Sequence, residues 1–222
     1  MTDLDLEAVV AEILATRGRV PAARSALVAV TGIDGCGKGY VTARIVDALR
    51  VRGARAVGLN IDGWLNLPAV RFSETDPAEH FYRNAIRFDQ LFAELVFPLR
   101  DHRAVRIEAD YAEETATAYC KKRYEIDDVD VVVLEGIHLL KRAFQDYYDL
   151  SVWIDCTFET ALERAIARGQ EGLPAAATIA AYRTIYFPAQ QIHLERDDPR
   201  AAATTRIDND ERLSAAPRPG ER

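Results

Sequence analysis

The sequence predicts an α/β domain of three layers, in which helices cover both faces of a mostly parallel, five-stranded sheet. Short apolar runs rich in β-branched residues alternate with stretches of helical periodicity, and a glycine-rich turn joins the first run to a helix. At 222 residues with 49% apolar composition, the chain suffices for one substantial domain and is short for two. We expect buried strands at residues 27–31, 56–61 and 130–136, and further strands at residues 150–155 and 204–208.

Charge and cysteine content narrow the classes of protein to which the chain can belong. The formal net charge is −7 and the pI is near 5.2, so we expect no nucleic-acid partner and a purely local phosphate site. No run approaches the roughly 18 apolar residues of a membrane span, and the acidic start is unlike a signal peptide. Three widely spaced cysteines favour a cytoplasmic location. The oligomeric state stays open, and a homo-oligomer is compatible with the sequence.

The two ends of the chain differ from the part between them. Apolar residues at helical spacing in the first 16 residues are followed by Gly18 and Pro21. We therefore expect residues 1–26 to form a helix against the sheet edge, and residues 27–210 to form the domain. Residues 211–222 combine proline, glycine and charge, so we expect this tail to be disordered.

The glycine-rich segment after the first strand predicts a phosphate-binding loop. Four residues separate Gly32 from Gly37-Lys38, which is the Walker A spacing up to its last position. Glycines let backbone N–H groups approach a phosphate, the following helix presents its positive N-terminal end, and the lysine reaches the β- and γ-phosphates. ATP is the expected cofactor, and its predicted contacts are Gly32, Asp34, Gly35, Cys36, Gly37, Lys38, Gly39 and Tyr40.

One position departs from that motif. Where a serine or threonine hydroxyl would ligate Mg²⁺, the chain has Gly39. Either other groups and waters hold the metal, as suits an ion that keeps much of its hydration shell, or the protein binds nucleotide without efficient turnover. The sequence leaves both alternatives open.

Carboxylates follow two of the predicted strands. Asp62 comes directly after the second strand, and Glu135 lies near the end of the third, as in a Walker B strand. Because the carboxyl ends of parallel strands meet at one edge of a sheet, we expect both to converge with Lys38. In phosphoryl transfer one carboxylate can accept the proton of the acceptor hydroxyl. We assign Asp62 as this base, with a helix cap or turn residue as the alternative.

Further elements are expected on either side of the third and fourth strands. A polar loop, a long helix capped by Thr75 or Asp76, and a β-hairpin are predicted at residues 66–77, 78–99, and 105–111 with 116–121, respectively. The loop is placed to fold over a substrate. Towards the end of the chain we expect a helix over residues 175–196, which Pro188 should kink or interrupt.

Two arginines suggest a lid. Arg164 and Arg168 lie four residues apart on a predicted helix over residues 157–168, just before a break at residues 169–174 that contains glycine and proline. Such arginines can clamp the transferring phosphates when a lid closes. A solvated helix face paired with the nearby glutamates is the alternative.

Taken together, these motifs resemble the uridine kinase-like and phosphoribulokinase-like P-loop kinases. The resemblance covers most of residues 27–210 and rests on segments 32–38, 61–64, 79–83, 134–137 and 183–209. It implies a nucleoside-kinase-like P-loop NTPase fold with a lid, and Mg²⁺ as a second cofactor. By resemblance, Asp62 activates the acceptor hydroxyl, Glu135 lies near the metal, and Arg164 and Arg168 contact phosphates. Asp62 is a second candidate metal ligand.

The acceptor is expected to be a small molecule, most simply a nucleoside such as uridine or cytidine. Two departures from the family pattern, Asn84 and the hairpin sequence at residues 108–111, bear on this choice. The alternatives are another sugar-like or vitamin-like alcohol, and a nucleotide-binding protein that has lost catalysis. Candidate acceptor-binding residues, several equally compatible with core packing, are Asp62, Trp64, Arg71, His80, Tyr82, Asp110 and Tyr111.

Overall fold

A computed structural model describes residues 2–169 and 172–214. In chain order, its strands are β1 (Ala26–Gly32), β2 (Ala56–Asn60), β3 (Val105–Tyr111), β4 (Cys120–Ile126), β5 (Val131–Gly136), β6 (Leu150–Asp155) and β7 (Thr205–Asp208). The α-helices are α1 (Asp3–Arg19), α2 (Lys38–Val51), α3 (Pro68–Arg71), α4 (Pro77–Asn84), α5 (Phe88–Leu91), α6 (Phe97–His102), α7 (Phe158–Arg168), α8 (Ala175–Ala181), α9 (Phe187–Asp197), α10 (Pro199–Ala202) and α11 (Glu211–Ser214). None of the helices in these ranges is long and apolar enough to cross a membrane.

Five strands form the central sheet in the order β2-β5-β1-β6-β7, and every pairing is parallel. The predicted five-stranded sheet is therefore confirmed. Every residue of the three central strands β5, β1 and β6 is buried, which accounts for their continuous apolar sequences. The prediction that β2 is buried is wrong, because this strand lies at the sheet edge and exposes Gly58 and Asn60.

Two apolar cores lie on opposite faces of the sheet, and β1 contributes to both. Leu27 and Ala29 belong to the core that contains residues of α4 to α6, whereas Val28 and Val30 belong to the core that contains α1 and α2. This alternation follows from the two-residue period of a strand. Helix α1 contacts α2 and the central strand β1, so it covers a face of the sheet. Our expectation that it lies at the sheet edge is therefore wrong.

The helix predicted over residues 78–99 is in fact two helical segments. The chain leaves the helical conformation after α4, where Ile86 forms an antiparallel bridge with Leu65 and the Arg87 N–H donates to the Trp64 carbonyl at 2.9 Å. A second helical segment then runs over residues 88–102. Asp76 is the N-cap residue of α4, but its side chain makes no capping hydrogen bond.

Two π-helical turns, Phe92–Val96 and Tyr182–Tyr186, each precede a Phe-Pro pair. At the second turn the Phe187 N–H donates to the carbonyl of Tyr182, five residues earlier. The next residue, Pro188, has no N–H to donate, and the wider turn lets the helical segment continue past it. The interruption that we expected at Pro188 is therefore a π-helical turn just before it.

The predicted β-hairpin is present as β3 and β4, which pair antiparallel. Its second strand begins at Cys120, four residues later than we predicted, because residues 112–119 form the connecting loop. The loop is fixed to the sheet edge, since the Ala112 N–H donates to the Gly63 carbonyl at 3.1 Å. At the other end of the chain, residues 211–214 form α11, which corrects the predicted start of the disordered tail. Residues 215–222 lie outside the described part of the chain.

Candidate active site

A cleft of about 370 Å³ opens at the carboxyl ends of β1, β2 and β5. The structure brings together there most of the residues that the sequence suggested for nucleotide binding and catalysis. These are Asp34, Gly35, Gly37, Lys38, Gly39, Tyr40, Asp62, Glu135, Arg164 and Arg168. Gly32 and Cys36 belong to the same loop but do not line the cleft.

The conformation of the loop requires its glycines. Gly35 and Gly37 have φ angles of +79° and +95°, which residues with a Cβ rarely adopt. At Gly32, a Cβ would lie 2.6 Å from the Ile154 carbonyl oxygen. Cys36 is buried, and burial raises the pKa of its thiol, so this residue contributes backbone and not a reactive side chain.

Lys38 is buried at the start of α2 and donates to the Ile33 carbonyl at 3.0 Å. Burial alone would lower the pKa of its ammonium group. The groups facing it outweigh burial and raise that pKa, in the order Cys36, Asp34, Glu135 and then Asp62. The lysine therefore carries a positive charge in the cleft.

The carboxylates of Asp62 and Glu135 share this environment. Asp62 follows β2 in a 3-10 turn, where its N–H donates to the Asn60 side chain at 2.6 Å. Burial raises the pKa of Asp62, and the charge of Asp34 adds to that effect against the opposing charge of Lys38. At Glu135, burial together with the charges of Asp62 and Asp34 raises the pKa to about 7.

These carboxylates fit a divalent cation that takes few ligands from the protein. Mg²⁺ prefers oxygen ligands and keeps several waters, and Asp62 and Glu135 offer oxygens beside the phosphate loop. Within residues 2–169 and 172–214, no group of three or more His, Cys, Asp or Glu side chains is placed to hold a metal. Most ligands of such an ion would therefore come from nucleotide and water.

The two arginines of α7 are tied to the phosphate loop. The Arg164 guanidinium donates to the carbonyls of Cys36 at 3.1 Å and Asn209 at 2.8 Å. Arg168 lies 3.6 Å from the carboxylate of Asp34 and donates to the Tyr182 hydroxyl at 3.3 Å.

The neighbouring Glu163 forms an ion pair with Arg212 at 2.8 Å. Its carboxylate is thus engaged away from the phosphate loop. This geometry favours the phosphate-facing interpretation of Arg164 and Arg168 over a solvated face paired with Glu163. Glu171, the other glutamate of that alternative, lies outside the described residues.

Asp34 links the loop to the helical segment over residues 175–197. The Tyr182 hydroxyl donates to its carboxylate at 2.6 Å, and the Gly35 N–H donates to the other oxygen at 2.9 Å. Burial opposes ionisation of Asp34, but Lys38 and Arg168 outweigh it and lower the pKa of this carboxyl. Asp34 is therefore an anion that holds the loop in place.

Most of the predicted acceptor-binding residues do not line this cleft. Trp64 is 1% exposed and stacks on Tyr124 with ring centroids 6.2 Å apart. Arg71 is also buried and donates to the Asn66 carbonyl at 3.2 Å. A ring nitrogen of His80 lies 2.7 Å from the Val70 carbonyl oxygen. These three side chains therefore hold the region between β2 and α4 together and do not line the cleft.

Two further predicted positions also lie outside the cleft lining. The Tyr82 hydroxyl donates to Asp197 at 2.7 Å in a buried contact, and Asp110 forms an ion pair with Lys121 at 2.7 Å across the hairpin. Tyr111 stays a candidate, because it lines a cavity that also contains Asp62. Trp64 lines a further cavity together with both of them. Of the predicted acceptor-binding residues, Asp62 is the one that lines the main cleft.

The structure adds cleft residues that the sequence did not suggest. They are Asn60, Leu65, Phe81, Glu114, Ile137, Tyr186 and Gln190. Four of them, Phe81, Ile137, Tyr186 and Gln190, lie in segments that carried the family resemblance, but the sequence assigned none of them to the site. The polarity of Asn60 at a strand end was a further signal, because polar residues there face the ligand crevice of a parallel sheet.

The family profile described as "PRK: Phosphoribulokinase / Uridine kinase family" matches residues 27–172. The chain belongs to this family. The match spans the phosphate loop, both carboxylates and the two arginines, and it confirms the resemblance that the sequence motifs suggested. The protein is thus a P-loop kinase of the class that acts on small-molecule alcohols.

Solved structures share the fold at low sequence identity. A possible uridine kinase from Bacillus stearothermophilus has a TM-score of 0.71 at 18% identity, covering 92% of this chain and 97% of that one. A candidate fructose transport system kinase from Silicibacter sp. has a TM-score of 0.71 at 20% identity, with coverages of 93% and 99%. D-glycerate 3-kinase from Cryptococcus neoformans var. grubii has a TM-score of 0.58 at 13% identity, with coverages of 85% and 89%. These likenesses support the fold.

Proposed function

We propose that the protein transfers the γ-phosphate of ATP to a hydroxyl of a small molecule, with uridine or cytidine as the first acceptors to examine. The observation that carries this proposal is the shared cleft, in which the carboxylate of Asp62 lies with the cationic Lys38 and the phosphate loop. A proton acceptor beside a phosphate site is the arrangement that phosphoryl transfer to an alcohol needs.

Each residue then has a distinct task. Asp62 accepts the proton of the acceptor hydroxyl, and its raised pKa makes it a stronger base than an ordinary aspartate. Lys38 and Arg168 neutralise charge that develops on the transferring phosphoryl group. Arg164 keeps the loop in position through the Cys36 carbonyl.

Mg²⁺ fits this proposal as the second cofactor. When bound, it neutralises phosphate charge and helps to orient the nucleotide. Asp62 and Glu135 are the side chains that would hold it. Both carry raised pKa values, for which burial is the largest cause.

A panel of alcohols tests the proposal. ADP release is measured with ATP, Mg²⁺ and, in turn, uridine, cytidine, fructose and D-glycerate. Uridine- or cytidine-dependent release supports a nucleoside kinase, and release with only fructose or D-glycerate supports a kinase of another alcohol. Tight ATP binding without transfer to any acceptor would instead support the nucleotide-binding protein without catalysis.

We expect Gly39→Ser to tighten Mg²⁺–ATP binding and to leave turnover equal or higher. A Cβ at this position meets no atom within 4 Å, so a serine side chain fits and can supply the missing hydroxyl ligand. Serine is also about 0.5 kcal/mol better than glycine in a helix, which protects folding. The measurement is the Mg²⁺ dependence of ATP affinity and of phosphoryl transfer.

Gly18→Ser is the matched control. Gly18 also lies in a helix, α1, and a Cβ at this position also meets no atom within 4 Å. It should change helix stability alone. If Gly39→Ser leaves the Mg²⁺ dependence unchanged, the metal is held away from residue 39. A serine variant that gains activity from an inert parent would favour the lost-catalysis alternative.

A further inference from the structure

The cleft contains a buried glutamine whose amide has no partner. Gln190 is 1% exposed and lines the cleft. Neither its Nε2 nor its Oε1 has a hydrogen-bond partner within residues 2–169 and 172–214. Burying an amide without hydrogen bonds costs free energy, and buried polar groups in native proteins are nearly always paired. An unpaired amide on a residue that lines a cleft therefore points to a ligand.

The position of Gln190 along its helical segment places it away from the phosphate loop. Tyr182, whose hydroxyl contacts Asp34 in the loop, is followed at four-residue intervals by Tyr186 and Gln190. Eight residues of helix rise about 12 Å. Tyr186 packs against Phe81 with ring centroids 5.0 Å apart, so Gln190 extends the wall that these two rings form.

The charges of the cleft are unevenly distributed. Its three described cationic residues, Lys38, Arg164 and Arg168, all contact the phosphate loop. The cleft also has apolar and aromatic lining residues, namely Leu65, Phe81, Ile137 and Tyr186, and Tyr186 lies one helical turn before Gln190 and packs against Phe81.

One acidic residue, Glu114, also lines the cleft. It lies 3.4 Å from the buried guanidinium of Arg71. Arg71 does not line the cleft itself. Among the described lining residues, the cations are those at the phosphate loop. An anionic group of a ligand beside Gln190 would have none of these cations next to it, and desolvating that group would be unfavourable.

We infer that Gln190 binds the phosphoryl acceptor and selects a neutral molecule over an anionic one. This inference rests on the proposed function of the same cleft. The amide donates through Nε2 and accepts through Oε1, so its complement is an adjacent donor and acceptor on an uncharged ligand. Vicinal hydroxyls and the amide edge of a nucleobase both present that pair. A carboxylate or phosphate presents acceptors alone and adds negative charge.

Gln190→Leu tests the inference, because leucine keeps much of the side-chain volume and removes the amide. We expect the KM of the acceptor to rise about 5- to 150-fold, the range for a lost hydrogen bond at a buried polar partner. The KM of ATP should stay unchanged. Gln191→Leu is the matched control, since Gln191 is the exposed next residue of the same helix, and it should change neither constant. Gln190→Met replaces the leucine variant should that variant fail to fold.

Assays with different acceptors identify the group that Gln190 recognises. Wild type, Gln190→Leu and Gln191→Leu are assayed with uridine, 2′,3′-dideoxyuridine and fructose as neutral acceptors, and with D-glycerate and ribulose 5-phosphate as anionic acceptors. Loss of the Gln190 effect with dideoxyuridine assigns the amide to the diol. Its persistence there assigns the amide to the base. Both results support the inference.

Three outcomes would separate this inference from the proposed function. An unchanged acceptor KM with a raised Tm in Gln190→Leu means that the amide is only a buried polar group, which overturns the inference. Transfer to anionic acceptors alone also overturns it and leaves the phosphotransferase standing. Calorimetric binding of a neutral acceptor that needs Gln190, without any transfer, supports the inference and overturns the proposed function.

Discussion

Asp62→Asn lowers kcat by about 10²- to 10⁴-fold, the contribution of a positioned general base, and leaves ATP affinity nearly unchanged. Asparagine has the same shape as aspartate but does not accept the proton of the acceptor hydroxyl. The measurement combines steady-state kinetics on the true acceptor with ATP calorimetry. Asp47→Asn serves as the control, because Asp47 lies on α2 with its side chain 76% exposed.

Two results would count against Asp62 as the base. Wild-type kcat in Asp62→Asn would exclude the residue from proton transfer. Restoration of kcat at high Mg²⁺ would assign the carboxylate to metal binding instead, because a lost metal ligand can be offset by mass action and a lost base cannot. The Mg²⁺ titration of this variant therefore separates the two roles that Asp62 has been given.

Lys38→Ala is the second large effect that we expect, with kcat/KM for ATP lower by about 10²- to 10³-fold. In the proposed mechanism the lysine contacts phosphates in both the ground state and the transition state, so we expect ATP affinity and turnover to fall together. Its removal also leaves the carboxylates of Asp34, Glu135 and Asp62 without their central cation.

ATP calorimetry and steady-state kinetics measure this effect, and thermal unfolding reports on the fold. Lys121→Ala is the control, because this lysine is 60% exposed in the hairpin and pairs only across the strands with Asp110 in the described contacts. ATP affinity equal to that of wild type in Lys38→Ala would contradict the assignment of the phosphate loop.

The parts of the fold that sequence predicted well depend on local signals. The central strands β1 and β5 are buried along their whole length, so their composition alone marks them. The loop between β1 and α2 needs positive φ angles at Gly35 and Gly37, which only glycine supplies readily. Both signals lie within a few residues of the structure that they predict.

The errors arose where distant residues decide the structure. The break after α4 contains neither glycine nor proline, and its cause is a bridge between Ile86 and Leu65, 21 residues away in sequence. Apolar periodicity continued across the break, because both helical segments contribute to the same core.

Two cleft residues were missed for a related reason. Phe81 and Gln190 line the same cleft only after folding, and nothing in either local sequence separates a cleft-lining side chain from a core one. Conversely, arginine is a residue type that is common in binding sites, but Arg71 lies buried against Asn66 and Glu114.

The dual role of β1 has a consequence for how the nucleotide loop is built. Because Leu27 and Val28 face different cores, a slip of one residue would exchange the two sets of side chains, and neither core would accept the exchange. Packing on both faces therefore fixes the register of β1. The position at which the phosphate loop begins, Gly32, is fixed with it. The backbone amides of the loop are thus preorganised for phosphate, so the entropy of ordering them is lost in folding and not at each binding event.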